Sequence, residues 1–291
     1  MFIIATTASA DTTIALDTAK IEQLTGLKGT YSQDENVFKI AKPRTDVKVQ
    51  ADHVLISPFL GLTSWAAFTP LANGKTMMMG DTVVFEDEVN PAMSAALDAG
   101  LEVTALHNHF FFDQPKVYFM HIGGVGSVQQ LALGLKQVYD KIAAIRAANA
   151  IPATGLPGRV STINNITAAP LEKIFGKKGD VKDGMFKVSF GRKATMNGVE
   201  IGNQMGVNTW AAFAGSDNEA VVDGDFAMQE NELQTVLKTM RAQGINIVAI
   251  HQHMVQENPR IIFMHYWGKG KAENLANSVK KVLNAQAAMN K

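Results

Sequence analysis

Six of the seven histidines fall into two groups with one spacing: His107, His109 and His121, then His251, His253 and His265. Side chains two residues apart on a strand point to the same face, so His107 and His109 share a face, as do His251 and His253. A hairpin centred on residue 114 sets His107 opposite His121, and one centred on residue 258 sets His251 opposite His265. Directly opposed side chains share a face, with Cβ atoms about 4.5–5.5 Å apart. Each group then reads as a three-nitrogen metal site, conditional on loop parity, because a one-residue slip sends the third His to the other face. Three neutral imidazoles suit Zn, Cu, Fe, Ni or Co. A tetrahedral zinc with three protein ligands keeps one position open, the catalytic arrangement. Zinc is the default cofactor, since it accepts all-nitrogen ligation. Copper is the runner-up, because thioether sulfur suits Cu(I) and the chain holds 14 Met. Met120 and Met264 adjoin the third His, but alternation turns them to the opposite face. Glu86 and Glu230 precede helices and are candidates for a fourth ligand, a partner to a His N–H, or a general base on bound water. The competing reading has the imidazoles hydrogen-bonded within the protein, or lining a metal-free ligand pocket.

Other polar signals are weaker. Asp81 and Asp225 each follow a Gly and precede a strand, so they read as turn residues. Gly123-Gly124-Val125-Gly126-Ser127 lacks a phosphate-binding spacing and reads as a strand-to-helix turn. Trp65 and Trp210 read as core. No G-x-S-x-G nucleophile elbow is present, and His53 is given no role.

The elements that must position the histidines occur twice. Trp65-Ala66-Ala67-Phe68 recurs as Trp210-Ala211-Ala212-Phe213, and Gly80-Asp81 as Gly224-Asp225. Residues 80–121 and 224–265 align at an offset of 144 without a gap, with 12 identities in 42 positions. Such self-similarity marks a duplication. Repeat 1 spans 19–149 and repeat 2 spans 170–291, joined by a Pro-, Gly-, Thr- and Asn-rich linker over 150–169. Within each copy, short Val-, Ile- and Leu-rich runs alternate with turn signals. Gly100 and Gly244 stop helices, with Asp87 and Asn231 as the matching caps. Val128, Leu131, Leu135, Val138, Ile142 and Ile145 form an apolar stripe at helical spacing. Each copy reads as ββαββα, so the fold class is α+β with mostly antiparallel sheets. The strands are apolar on both faces: one face takes the helices, the other packs on the partner repeat or the leading segments.

Composition narrows the function. Charged residues make up 19% of the chain and apolar residues 46%, which favours a substantial core over disorder. Lys+Arg and Asp+Glu are both 27. This balance gives no basic field for a phosphate backbone and argues against nucleic-acid partners. No apolar run approaches the roughly 20 residues of a membrane span. Zero Cys excludes thiolate metal sites and cysteine nucleophiles. Residues 1–18 read as a signal remnant or N-terminal tail, since Ala8-Ser9-Ala10 before Asp11 has the form of a secretory cleavage site.

At T-A-L-H-N-H (104–109), F-M-H (119–121), N-T-W-A-A-F (208–213) and A-I-H-Q-H-M (249–254), followed by E-N-P-R-I-I-F-M-H-Y-W (257–267), the chain resembles the bacterial LppY/LpqO family of exported proteins and lipoproteins. That resemblance implies an exported protein, periplasmic or secreted. The lipid-attachment Cys of the lipoprotein members is absent, and the family supplies no reaction. Three functions follow: a non-catalytic metal-binding or metal-handling protein, a metal-dependent hydrolase with Glu86 or Glu230 as base, or a metal-free module for a small-molecule or cell-envelope ligand.

Overall fold

The computed structural model describes residues 15–289; the expected cleavage site at Ala8–Asp11 lies outside them. Asp17 starts helix α1 (Thr18–Thr25) by accepting a hydrogen bond from the Lys20 N–H, and Gly26 ends it in the left-handed conformation. Strands β1 (Gly29–Ser32) and β2 (Val37–Pro43) follow. Strands β3 (Val49–Ala51) and β4 (Val54–Ile56) make a separate two-stranded hairpin. Its turn residues, Asp52 and His53, both have positive φ, as a type I′ turn demands. Then come β5 (Thr63–Pro70), β6 (Thr76–Phe85), α2 (Glu86–Asp98), β7 (Glu102–His107), β8 (Val117–Gly126) and α3 (Val128–Ala148).

The second half repeats this order. It comprises α4 (Ala168–Phe175), β9 (Asp180–Lys182), β10 (Met185–Gly191), β11 (Ala194–Met196), β12 (Val199–Ile201), β13 (Asn208–Gly215), β14 (Ala220–Gln229), α5 (Leu233–Ala242), β15 (Asn246–His251), β16 (Ile261–Gly270) and α6 (Ala272–Ala288). The fold is α+β with two similar halves. The ββαββα reading omits the leading helix and first four strands of each half.

Twelve strands form one sheet in the order β1-β2-β5-β6-β8-β7-β15-β16-β14-β13-β10-β9, and every ladder in it is antiparallel. The order reads the same from either end when the halves are exchanged. They meet where Leu106 of β7 pairs with Ile250 of β15, residues at equivalent positions, so a pseudo-twofold axis passes through that pair. The halves therefore extend one sheet; they do not stack face to face. All six helices contribute to one large core on a single face, with Met78, Val84, Met120, Phe226 and Met264 among the strand residues beneath them. Each half also has a small core on the opposite face, where the β3–β4 or β11–β12 hairpin covers Phe119 or Phe263. The leading segments, not the partner repeat, thus cover part of the second face.

Two buried ionic clusters fix the start of the central helices. Glu88 is fully buried and accepts from the Phe85 N–H at 2.9 Å. Arg44 grips it through both terminal nitrogens at 2.8 and 3.0 Å, and Arg146 adds a contact at 2.8 Å. Glu232 repeats the arrangement with the Gln229 N–H and Arg192. The cap read at Asp87 is thus displaced to Phe85, and in the second half a 3-10 turn (Glu230–Glu232) capped at Gln229 leads into α5, whose own cap is Glu232 instead of Asn231, because the buried glutamates reach back over one turn.

Candidate metal centre

The histidines owe their aim to a bulge. In β7, Val103 pairs with Ile122 but Ala105 pairs with His121, so Thr104 is an extra residue. The insertion lets Val103 and Leu106 both bury beneath the helices and turns Ala105 and His107 to the open face. β15 has the same shift between Ile247 and Ala249. Each bulge is held by the other half. Asn90 of α2 donates to the Ile247 carbonyl at 3.1 Å and accepts from its N–H at 2.7 Å. Gln234 of α5 does the same for Val103, at 2.9 and 3.0 Å. These amides satisfy backbone groups that the bulge takes out of the ladder.

The loop after each bulged strand is also anchored. Asp113 accepts from the Val117 N–H at 2.6 Å and Glu257 from the Ile261 N–H at 2.9 Å. Gln114 exchanges both backbone hydrogen bonds with Gln50 of β3, and Asn258 does so with Thr195 of β11. The small hairpin thus ties the His loop to the sheet.

The resulting register corrects the expected one. His107 lies opposite Phe119, and it is Ala105 that lies opposite His121; His251 likewise faces Phe263. The pairing is displaced by two residues, an even number, so all members of each group keep one face. In the first half, His107 and His121 bring their Nε2 atoms to 3.0 Å. His109, past the end of β7, stacks on Phe119 at a centroid distance of 3.3 Å and lies 5.1 Å from the His107 ring. In the second half, His251 and His253 approach at 3.2 Å through Nε2. His253 stacks on Phe263 at 3.5 Å, and His265 lies parallel to His251 at 4.6 Å.

The third element of each centre is an aspartate. Asp81 of β6 stands directly opposite His121, and Asp225 of β14 opposite His265. Asp225 reaches His253 Nε2 at 3.0 Å through Oδ2. One ligand atom each from Asp225, His251 and His253 fits within 4.8 Å. Asp81 and Asp225 are 7% and 2% exposed, and the Oδ1 atom of each, like His251 Nδ1, is buried without a hydrogen-bond partner. Burial pushes the Asp81 carboxyl above its ordinary range, against the pull of His121, His109 and His107. Burial also lowers the pKa of His109 and His251, favouring the neutral imidazole, the form that ligates a metal.

These donors fit a transition metal. Two imidazole nitrogens each bound at about 2.0–2.1 Å to one tetrahedral zinc lie roughly 3.3–3.4 Å apart; the 3.2 Å of the second pair is close to that, and the 3.0 Å of the first is shorter. Without a metal, one nitrogen of each pair must carry the proton. A buried carboxylate oxygen with no donor is the further feature that a cation would satisfy. His265 donates its Nδ1–H toward the Gly224 carbonyl at 3.2 Å, leaving Nε2 as its ligand atom.

A family model described as Domain of Unknown Function (DUF1259) matches residues 19–141 and 169–285. The chain belongs to the DUF1259 family. Each matched segment contains one complete group of three His and one Asp, so the family's repeated unit and the centre coincide. Nothing among the curated proteins matches the chain. Among solved structures, the chain is similar to the trimeric bacterial microcompartment shell protein PduB at a TM-score of 0.20 and 9% identity, over 90% of this chain and 91% of that one; a likeness of that size carries no argument.

Asp81 and Asp225, read as turn residues, are thus mid-strand members of the centres in this DUF1259 chain. The glycines before them serve packing, not turning: a Cβ on Gly80 would sit 2.7 Å from the Trp65 carbonyl oxygen. Glu86 and Glu230 are exposed at the helix starts. Glu230 faces Arg260 at 3.5 Å, and Glu86 lines a cleft with Tyr118 and Trp267. The helix begins as the strand ends, which carries both carboxylates past the face that holds the imidazoles. Trp65 and Trp210 are half-buried on the open face beneath Lys39 and Lys187, at 4.3 and 4.1 Å, instead of in the core. Met120 and Met264 are fully buried on the helix side, as alternation requires.

Proposed function

We propose that this protein is an extracytoplasmic metal-binding protein with two centres, Asp81 with His107, His109 and His121, and Asp225 with His251, His253 and His265. Zinc is the default ion, and the role is metal binding or handling. The observation that carries this reading is the cluster of Asp225, His251 and His253, with one ligand atom of each within 4.8 Å of the others and a carboxylate that is itself 2% exposed. The position of Glu86 and Glu230 supports binding over hydrolysis, because a general base must come within about 2.6–3.2 Å of the proton it takes, and Glu230 is engaged with Arg260. The extracytoplasmic placement rests on Ala8-Ser9-Ala10 and the LppY/LpqO resemblance. No helix among the described residues is long and apolar enough to cross a membrane.

Elemental analysis of untagged protein, purified without added metal, tests the proposal. Bound zinc or another transition metal is expected, with a stoichiometric loss in a His251→Ala/His253→Ala chain. Absence of metal after incubation with excess Zn(II) and desalting would overturn it.

A further inference from the structure

The two centres are copies, yet their surroundings differ in donor chemistry. Beside His121, β6 carries Met77 and Met79 on the open face, opposite Val125 and Gly123 of β8. Met79 is 60% exposed, although it sits in the middle of a strand paired on both sides. Methionine is ordinarily retained to fill gaps in a core, and this side chain fills none. Its cross-strand neighbour is a glycine, so nothing on β8 covers the thioether. Met77, Met79 and His121 line one groove of about 170 Å³, together with Trp65, Thr104 and Val125. Asp81 follows Met79 by two residues on the same face.

The second half supplies an internal comparison. Val221 and Asp223 stand where the first half has Met77 and Met79, and they face Lys269 and Trp267 in place of Val125 and Gly123. Asp223, two residues before Asp225 on the same face, adds a second carboxylate diagonal to His265. The second centre is therefore rich in oxygen and nitrogen donors. The first has imidazoles and an open pair of thioethers. Soft thioether ligands select Cu(I), whereas carboxylate and imidazole suit borderline divalent ions. Met77 and Met79 are same-face neighbours on β6, about 6.6–6.8 Å apart, and Met79 lies diagonally across from His121 of β8, about 7–8 Å away, gaps that flexible methionines and a histidine can close on a shared ion.

We infer that the groove of the first half is a Cu(I) site, in which Met79 and Met77 supply sulfur beside the imidazole of His121, while the second centre holds a divalent ion through Asp225, His251 and His253. This assignment rests on the metal-binding reading above and divides that function between the halves.

The test is an anaerobic Cu(I) titration in competition with bicinchoninate, on a His251→Ala/His253→Ala chain with and without Met77→Leu/Met79→Leu. Leucine keeps the volume at both positions, and Zn(II) uptake by the Met-substituted chain with its second centre intact reports on folding. The expected result is Cu(I) binding that weakens at least about tenfold, the lower end of losses seen even for outer ligand-shell changes, with sulfur in the first coordination shell by X-ray absorption. Cu(I) affinity unchanged by the Met substitutions, or a shell without sulfur, would overturn the assignment and leave the metal-binding reading standing. Failure of the unsubstituted protein to hold either Zn(II) or Cu(I) would overturn both.

Discussion

Replacing Asp81 by Asn should stabilise the metal-free protein while weakening its first centre. The carboxylate is 7% exposed, its Oδ1 has no partner, and burial holds its pKa above the ordinary 3.8. The sign follows from linkage. A folded-state pKa above the unfolded one means that the folded state binds the proton more tightly, so stability falls as pH rises from 3.8 through the raised value. The penalty is present in full once the pH exceeds the raised value. Leaving a buried polar group unsatisfied costs about 1–3 kcal/mol. With an unfolding entropy of roughly 2.1 cal/mol/K per residue over this chain, that corresponds to about 2–5 °C in Tm. Asn keeps the shape and removes the charge but leaves an amide that also needs partners, so the metal-free Asp81→Asn chain should recover part of that cost and melt higher by at most about 5 °C. Metal reverses the order. At one hundred times its Kd, a bound ion stabilises the folded state by about 2.7 kcal/mol, or roughly 4 °C, and the substituted chain should forgo that increment at the first centre. Calorimetric melting at pH 7, after EDTA treatment and again with anaerobic Cu(I), reads both effects. A metal-free Asp81→Asn chain that melts below the unsubstituted one, or gains as much from Cu(I), would refute the reasoning.

Further outcomes follow from the same structure. Burial lowers the folded-state pKa of His109 and His251 below 6.5, so the unfolded chain binds more protons below that pH and metal-free stability falls on acidification; a His109→Ala/His251→Ala chain should show a flatter Tm between pH 7 and 5.5, and an unchanged slope would count against this account. Glu88→Ala would strip Arg44 and Arg146 of their shared buried carboxylate and leave Asp46 and Asp87 as their counter-charges, at a cost of up to about 3–5 kcal/mol; urea unfolding should show it, and a loss under about 1 kcal/mol would mean that these two carboxylates suffice. Asn90→Ala unpairs the buried Ile247 N–H and carbonyl, which costs about 1–3 kcal/mol and should also weaken Zn(II) binding at the second centre; a stability loss with full metal affinity would separate the clamp from the site.

The histidine groups are legible in the sequence because residue type and spacing recur in both copies, and because strand alternation is insensitive to a register error of two. The pairing itself is not legible. A straight hairpin centred on residue 114 ignores the bulge at Thr104, and nothing local marks Thr104 or Val248 as extra residues. The signal lies 131 residues away in Gln234 for one bulge and 157 residues away in Asn90 for the other. Asp81 and Asp225 resemble turn residues because glycine before aspartate is a turn signature, whereas Gly80 is small to let strands β5 and β6 approach. Their equivalence across the copies is visible; their position beside the histidines requires the register of β6 on β8, which no short-range pattern carries. The expected alternation of Met120 and Met264 away from the histidines agrees with their burial beneath the helices, since it needs only the period of a strand.

The reciprocal clamps give the duplication a physical consequence. The bulge in β7 turns His107 to the open face, and the amide that satisfies its displaced backbone belongs to α5 of the other half. The bulge in β15 depends in turn on α2 of the first half. One half alone would leave a buried N–H and carbonyl unpaired at the residue that aims its own ligands, and unpaired buried backbone groups are rare because they are costly. A straight β7 would restore the ladder, but it would place Leu106 on the open face and His107 under the helices. Each centre is therefore built from its own half and oriented by the other, so two copies are the smallest unit in which either group of histidines has a defined direction.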